Sequence, residues 1–599
     1  MWKSHRLILS TRAVPGAHLA RTDKNASELL ASGFIGRTLL ESLPGVCLRL
    51  CCLHFLAIGG LLALLLVTIA PQAYAQAPSA ASKTSLVSQS SSKGRSPTAF
   101  PVYNINDYGA VGDNTTLNSK AIQRAIDRAA EDGGGTVFLP PGDYLSGTIR
   151  LRDNITLYLE NGCTIWGSAN LADYDPKHRH LIYAEDAKNV VIRGQGTING
   201  NGPLFWDNGR LEQWLDGKIK LPRTREMLRF TRCDNVVLEN IDVNYGAYWN
   251  IGLTNCDRVT ILAITMRNGV YEEDGPNTDG INLWNCTKVQ ISDCDIITGD
   301  DCIVVQGTSR DVTITNCNLQ TPETALMISG VRNLTFSNST IHDSGCGIGF
   351  RVWSSIVVDG VVINNIDMSV SKKFKGGGTA IYMWSFPLYV ETAIPKETPL
   401  PPPGILKNVV ISNVTAAANG LVCVNGDENG YVEGLTLENI KLFMYGGKTC
   451  RLNRTPPYPF PIYGFHGASP YSLFFRHVTD LKLHNVQIDW NTPEKPEWGS
   501  ALRCWKVNDL EIDGFTGRQS KASGAPAICL KDVHGAFIHD CCAIKGTNTF
   551  LKLDAGVYDV SLMNNDLSRA KRVYALAPDA KSGQIFERFN RLPETPTED

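Results

Sequence analysis

The chain has 599 residues, 43% of them hydrophobic and 19% charged, with 57 Lys and Arg against 59 Asp and Glu for a formal charge of -2. That balance removes the electrostatic case for nucleic acid or an anionic membrane surface as a partner. Length alone does not separate several domains from one long repeat unit.

Residues 55–70, FLAIGGLLALLLVTIA, are an uncharged apolar run followed by the small-residue pattern Ala73-Tyr74-Ala75. This reads as a signal peptide with its cleavage site, and so as export to the outside of the cell or the periplasm. The run is short for a membrane span, and no stable membrane insertion is expected after cleavage. Residues 76–99 are rich in Ser and Ala and read as a flexible spacer. The expected organisation is a leader over 1–75, the spacer over 76–99 and a single domain over 100–599.

The first predicted element of that domain is a helix. Ile122, Ala125, Ile126 and Ala129 recur at helical spacing after Asn118, a candidate N-cap, and the pattern stops at Gly133-Gly134-Gly135. From residue 189 a different pattern takes over. NVVI at 189, NVVL at 235, RVTI at 258, KVQI at 288, DVTI at 311, NLTF at 333, NVVI at 408, GLTL at 434 and DLKL at 480 are short strands with Asn, Gly or a charged residue at the corner. Successive starts from 235 are 23, 30, 23 and 22 residues apart. Such periods predict an all-β solenoid in which each coil stacks its strands on those of the next, with the helix capping the open end of the first coil.

Three of the 17 cysteines, Cys47, Cys51 and Cys52, lie in the leader, which leaves 14 in the exported part. Export permits disulfides but the spacing does not fix their state, and no zinc-type CxxC pairs recur, so neither metal nor cofactor is expected. Cys233 and Cys256 are 23 apart, as are Cys294 and Cys317. They are expected as small buried residues stacked on adjacent coils. Asn316 and Asn338, 22 apart, suit turn corners that form an amide ladder. The Gly- and Pro-rich stretch 372–403 reads as an inserted loop beside a groove.

Within the repeat, NTDG at 277–280 and GDDC at 299–302 place Asp279 and Asp300 about one coil apart, with Asp301 adjacent. Asp beside Gly is also a common turn signal. Two such turns one coil apart bring three carboxyls together, and a protonated one beside anionic neighbours can give a proton to a leaving oxygen while another activates water. Glycosidic bond cleavage uses that arrangement. Calcium ligation by the same carboxylates, as in a lyase, is the competing chemistry.

Asn277-Thr278-Asp279-Gly280 and Gly299-Asp300-Asp301-Cys302, together with NYGAYWNIGLTNC at 244–256, resemble the polygalacturonase family, glycoside hydrolase family 28, from about residue 103 to at least Arg351, more weakly beyond. The resemblance implies a right-handed parallel β-helix and inverting hydrolysis of α-galacturonosyl linkages in pectic polysaccharide. Asp300 would be the general acid, Asp279 and Asp301 would hold the water, and Asn277 would contact the sugar. Two departures stand out. Where the family carries Gly-His-Gly, this chain reads TPETALMISG at 321–330, with Glu323 and Thr324 at the place of the His; His342, one coil further on, reads as a surface residue. The family's Arg-Ile-Lys is Arg351-Val352-Trp353. Arg351, Trp353, Glu323 and Thr324 therefore become candidate substrate-binding residues. With Arg351 the one cation clearly kept, Trp353 suits stacking on a neutral sugar. This points to a rhamnogalacturonan or other decorated pectin as the alternative substrate, unless Lys372, Lys373 and Lys375 supply the missing charge. A polysaccharide lyase and a non-catalytic polysaccharide-binding protein are the remaining readings, and a monomer is expected.

Overall fold

The computed structural model describes residues 101–206, 222–269, 277–353, 355–371, 379–385, 404–418, 422–426, 431–445, 471–491, 494, 498–578 and 585–594. The leader, the spacer and Lys372, Lys373 and Lys375 lie outside the described residues.

The strands form one sheet system in which neighbours pair in parallel with the equivalent strand of the next coil. The strands that frame the site are β1 (Ile251–Thr254), β2 (Ile281–Trp284), β3 (Ile303–Thr315), β4 (Thr324–Ser344), β5 (Cys346–Val352) and β6 (Thr379–Ser385). Their register stacks Ile251, Ile281, Ile303, Leu326, Ile348 and Ile381 in one column. All six are fully buried. Each such side chain contributes about 1.5–3 kcal/mol when removed from water, and only the coils above and below can cover it. The parallel pairing from coil to coil is that of the predicted parallel β-helix, and parallel strands joined by crossovers wind right-handed.

Asparagine turns the corners. Asn189, Asn235, Asn316 and Asn338 sit at φ between 51° and 61°, a left-handed conformation that Asn tolerates. The amide then both donates and accepts, so corners chain from coil to coil: Asn189 Nδ2 donates to Asn154 Oδ1 at 2.8 Å, and Asn235 Nδ2 to Asn189 Oδ1 at 2.9 Å. Asn316 instead donates to Asp293, and Asn338 to Thr315 Oγ1. The paired cysteines stack as their spacing predicts: the carbonyl of Cys233 accepts the N–H of Asp257 and that of Cys294 accepts the N–H of Asn318. Their thiols are buried and free.

The predicted helix, α1, spans Ser119–Glu131, and Ile122, Ala125, Ile126 and Ala129 are fully buried against the first coil. Asn118 does not cap it with its side chain. That amide is buried and pins the preceding turn, accepting from the Val111 N–H and donating to the Val111 and Thr116 carbonyls. The stretch 372–403 is not wholly an insertion, because β6 lies inside it and pairs with β5 on one side and with Val422–Asn425 on the other. Gly and Pro runs on both flanks hide this strand from a reading of composition.

Candidate active site

Ile281 pairs with Ile303, and Ile303 with Leu326. Asp279 and Asp301, each two residues earlier, therefore stack on one another, and Thr324 follows above them. The spacing that matters is 22 residues, not 21, so it is Asp301 and not Asp300 that stands over Asp279. Backbone bonds fix this register: Gly280 N–H donates to the Asp301 carbonyl at 2.9 Å and Cys302 N–H to the Thr324 carbonyl at 3.1 Å. Gly299 makes the bend that brings Asp300 alongside, with its N–H on Thr278 Oγ1 at 3.1 Å. The Asp300 carbonyl then accepts from both the Thr298 and Thr321 hydroxyls.

The three carboxyls have different surroundings. Asp279 is 7% exposed and accepts from Asn282 Nδ2 at 3.3 Å; burial, then the charges of Asp300 and Asp301, push it well above the usual carboxylate range. Asp300 is half-buried. Burial and the Asp301 charge push it up to about 6, against the donors Asp301 N–H and Asn277 Nδ2 and the Arg351 charge. Asp301 is 8% exposed, and its Oδ1 accepts the Thr324 N–H at 2.9 Å. Each carboxyl opposes the ionisation of its neighbours, so Asp279 and Asp300 both hold their protons more tightly than an ordinary carboxyl does.

Asn277, Thr324 and Arg351 are thus gathered with the carboxyls. Glu323 is next to the cluster: its N–H donates to Thr321 Oγ1, its carbonyl accepts from the Cys346 N–H, and its charge acts on the Cys346 thiol. Trp353 is half-buried in the turn after β5, its carbonyl accepting the Ile356 N–H at 2.9 Å. His342 is exposed.

Two groups were missed. The Tyr382 hydroxyl, on β6, accepts from Arg351 Nε at 3.1 Å and lies 3.2 Å from Thr324 Oγ1, so it joins the guanidinium to the strand carrying Asp301's donor. Its ring fills the space over Gly349, where a Cβ would stand 2.3 Å from Cζ. Arg223 comes from a coil before Asp279. Its Nη2 donates to Asn277 Oδ1 at 2.7 Å, its Nη1 to the Ala247 carbonyl at 3.0 Å, and it lies 4.8 Å from the centre of the Tyr248 ring. Burial lowers its pKa against the pull of Tyr248, Asp279 and Asp300. Tyr248 itself is pushed up to about 12 by burial and then by Asp279. Away from this site, Asp513, His539 and Asp540 bring three potential metal-ligand atoms within 4.8 Å of one another.

Fold and site together define a parallel β-helix with three clustered carboxyls and two guanidinium groups beside them. The sequence model of glycosyl hydrolases family 28 matches residues 135–457, more than half of the chain, and the chain belongs to that family. It is 29% identical over 220 residues to a probable polygalacturonase of Vitis vinifera, a match that covers 33% of this chain and 43% of that protein. It is 27% identical to polygalacturonase-2 of Solanum lycopersicum, covering 58% of this chain and 78% of that one. Among solved structures, the family 28 exopolygalacturonase of Yersinia enterocolitica aligns at a TM-score of 0.50 and 18% identity over 73% of this chain and 78% of that one, which is a likeness of fold.

Proposed function

We propose that this glycoside hydrolase cleaves α-galacturonosyl linkages of pectic polysaccharide with inversion. Asp300 is the general acid, and Asp279 and Asp301 hold the attacking water. The observation that carries this reading is the geometry: the strand register stacks Asp279 on Asp301 and the Gly299 bend brings Asp300 alongside, where burial and the Asp301 charge push its pKa up to about 6. A carboxyl that keeps its proton in mildly acidic solution can donate it to the leaving oxygen, and the ionised share of the cluster can take a proton from water. Arg351, oriented by the Tyr382 hydroxyl, puts positive charge beside the carboxyls, which supports a uronate-bearing chain as substrate. We further propose that residues 100–599 act as one monomeric catalytic domain, exported through the apolar run at 55–70. No helix among the described residues is long and apolar enough to cross a membrane.

The test is incubation with homogalacturonan, rhamnogalacturonan and xylogalacturonan, following reducing ends and ultraviolet absorbance with and without a chelator. A hydrolase releases reducing ends without the absorbance of a new double bond and without need of calcium. Chelator-sensitive absorbance would identify a lyase, and binding without turnover would identify a polysaccharide-binding protein.

Two further outcomes are expected. NMR of the earliest product should show the β-anomer, because in the proposed mechanism Asp279 and Asp301 activate a water and no carboxylate attacks the sugar itself; an α-product or a trapped glycosyl-enzyme would contradict it. Gly349→Ala should displace the Tyr382 ring, since its Cβ would lie 2.3–2.7 Å from three atoms of that side chain. Arg351 then loses a hydrogen bond to a charged group, worth about 1.5–3 kcal/mol, and kcat/KM on galacturonan should fall by about tenfold or more. Unchanged kinetics would mean that Tyr382 does not hold Arg351 in place.

A further inference from the structure

Asn277 stands between a cation and the general acid. Its Oδ1 accepts from Arg223 Nη2 at 2.7 Å, and its Nδ2 faces Asp300 Oδ2 at 3.4 Å. A primary amide has one accepting end and one donating end, whereas a guanidinium can only donate. With Arg223 in place the amide therefore has one stable orientation, with its oxygen on Arg223 and its N–H groups toward Asp300. Flipped, it would set donor against donor at Arg223 and oxygen against carboxylate at Asp300. Arg223 is itself held by the Ala247 carbonyl and the Tyr248 ring, so the lock is anchored on the preceding coil.

We propose that Arg223 is a positioning residue for the general acid: it locks the Asn277 amide in the orientation that donates to Asp300, and so fixes which face of that carboxyl carries the transferable proton. The two oxygens of Asp300 then have different duties. Oδ1 is engaged by the Asp301 N–H at 2.9 Å. Oδ2 is approached by the Asn277 amide, which leaves the proton on the remaining lone-pair directions of the carboxyl. A donor at Oδ2 also favours the ionised form, so the lock works against the burial and the Asp301 charge that raise the pKa of Asp300. The charged and titratable groups facing Asp300 are Asp301 beside it, Asp279 on the coil before, Arg223 and Tyr248 further back, and Arg351 from a later coil. Removing Arg223 takes away a cation and frees the amide to turn. Both changes make Asp300 hold its proton more tightly.

The kinetic part of this inference rests on the proposed hydrolysis; the titration part does not. The experiment is a carboxyl titration of the full chain carrying 13C at the Asp side-chain carboxyl, with the Asp300 signal assigned by its loss in Asp300→Asn. In Arg223→Met the Asp300 titration should move up by about one unit, a tenfold change in proton affinity. Arg223→Lys, which keeps a donor-only cation, should bring it back part of the way and serves if the Met variant does not fold. In an Asn277→Leu background the Arg223→Met shift should be smaller, because the amide that transmits it is gone. On galacturonan, the basic limb of the kcat profile should move up with the titration, kcat should fall by about tenfold, and KM should stay within about twofold, as for a lost transition-state interaction. An Asp300 titration that does not move in folded Arg223→Met or Arg223→Lys overturns the proposal. So does a shift of equal size with and without Asn277, which would reduce Arg223 to a distant charge. If the parent cleaves no galacturonan, the proposed function fails and the titration still decides the role of Arg223.

Discussion

Asp300→Asn is expected to lower the hydrolysis of galacturonan by about 10²- to 10⁴-fold, the usual cost of losing a positioned general acid. The fold should survive. Burial pushes Asp300 toward its neutral form, so a neutral amide of the same shape replaces a group that already resists ionisation. The amide oxygen can keep the bond from the Asp301 N–H, while the amide nitrogen has no proton acidic enough to give away. The one local cost is at Asn277, whose Nδ2 would meet a second donor unless one of the amides turns. Circular dichroism and thermal melting should therefore match the parent within the few degrees a single surface-facing hydrogen bond accounts for. Parental turnover in the Asn variant would remove Asp300 from the mechanism.

How much of this site could be read beforehand depends on how far its parts are from one another along the chain. The Asp279 and Asp300-Asp301 turns, the corner asparagines and the stacked cysteines are local motifs repeated at one coil length, so pattern and period suffice to find them. The end of α1 was legible from Gly133 and Gly134, which adopt φ of 93° and 123° where other residues would be strained. Register was harder. The interval between Asp279 and Asp300 is near a coil length, but only the strand pairing of Ile281 with Ile303 shows that Asp301 takes the stacked position. Arg223 left no local signal: it lies 54 residues from Asn277, outside any repeat motif, and reaches the site because winding brings the preceding coil alongside. Tyr382 was hidden for a compositional reason, as β6 sits within a Gly- and Pro-rich stretch that reads as loop. The expectation of a decorated pectin rested on counting Arg351 as the one cation clearly kept at the site. Arg223 is a second guanidinium at the site, but its Nη1 and Nη2 are engaged by the Ala247 carbonyl and Asn277 Oδ1, so its place is to position the acid and that expectation is not changed by it.

Asp301→Asn separates the two effects a neighbouring carboxylate has on the acid. It removes a group that helps to hold the water, so turnover should again drop by about 10²- to 10⁴-fold. It also removes the negative charge that, after burial, does most to raise Asp300. The residual activity should carry the sign of that loss. With Asp301 neutral, Asp300 gives up its proton more readily, its pKa falls from about 6 toward the ordinary carboxylate range, and the basic limb of the pH profile moves to lower pH. Arg351 pulls the same way, because its charge then acts on Asp300 without a competing anion at Asp301. Structure at the site should hold: the Asn side-chain oxygen can still accept the Thr324 N–H that Asp301 accepts at 2.9 Å. Loss of Arg223 should move the same limb upward, so the two variants displace one titration in opposite directions. A pH profile for Asp301→Asn with its basic limb unchanged or raised would show that the limb belongs to neither Asp300 nor Asp279, because the Asp301 charge raises both.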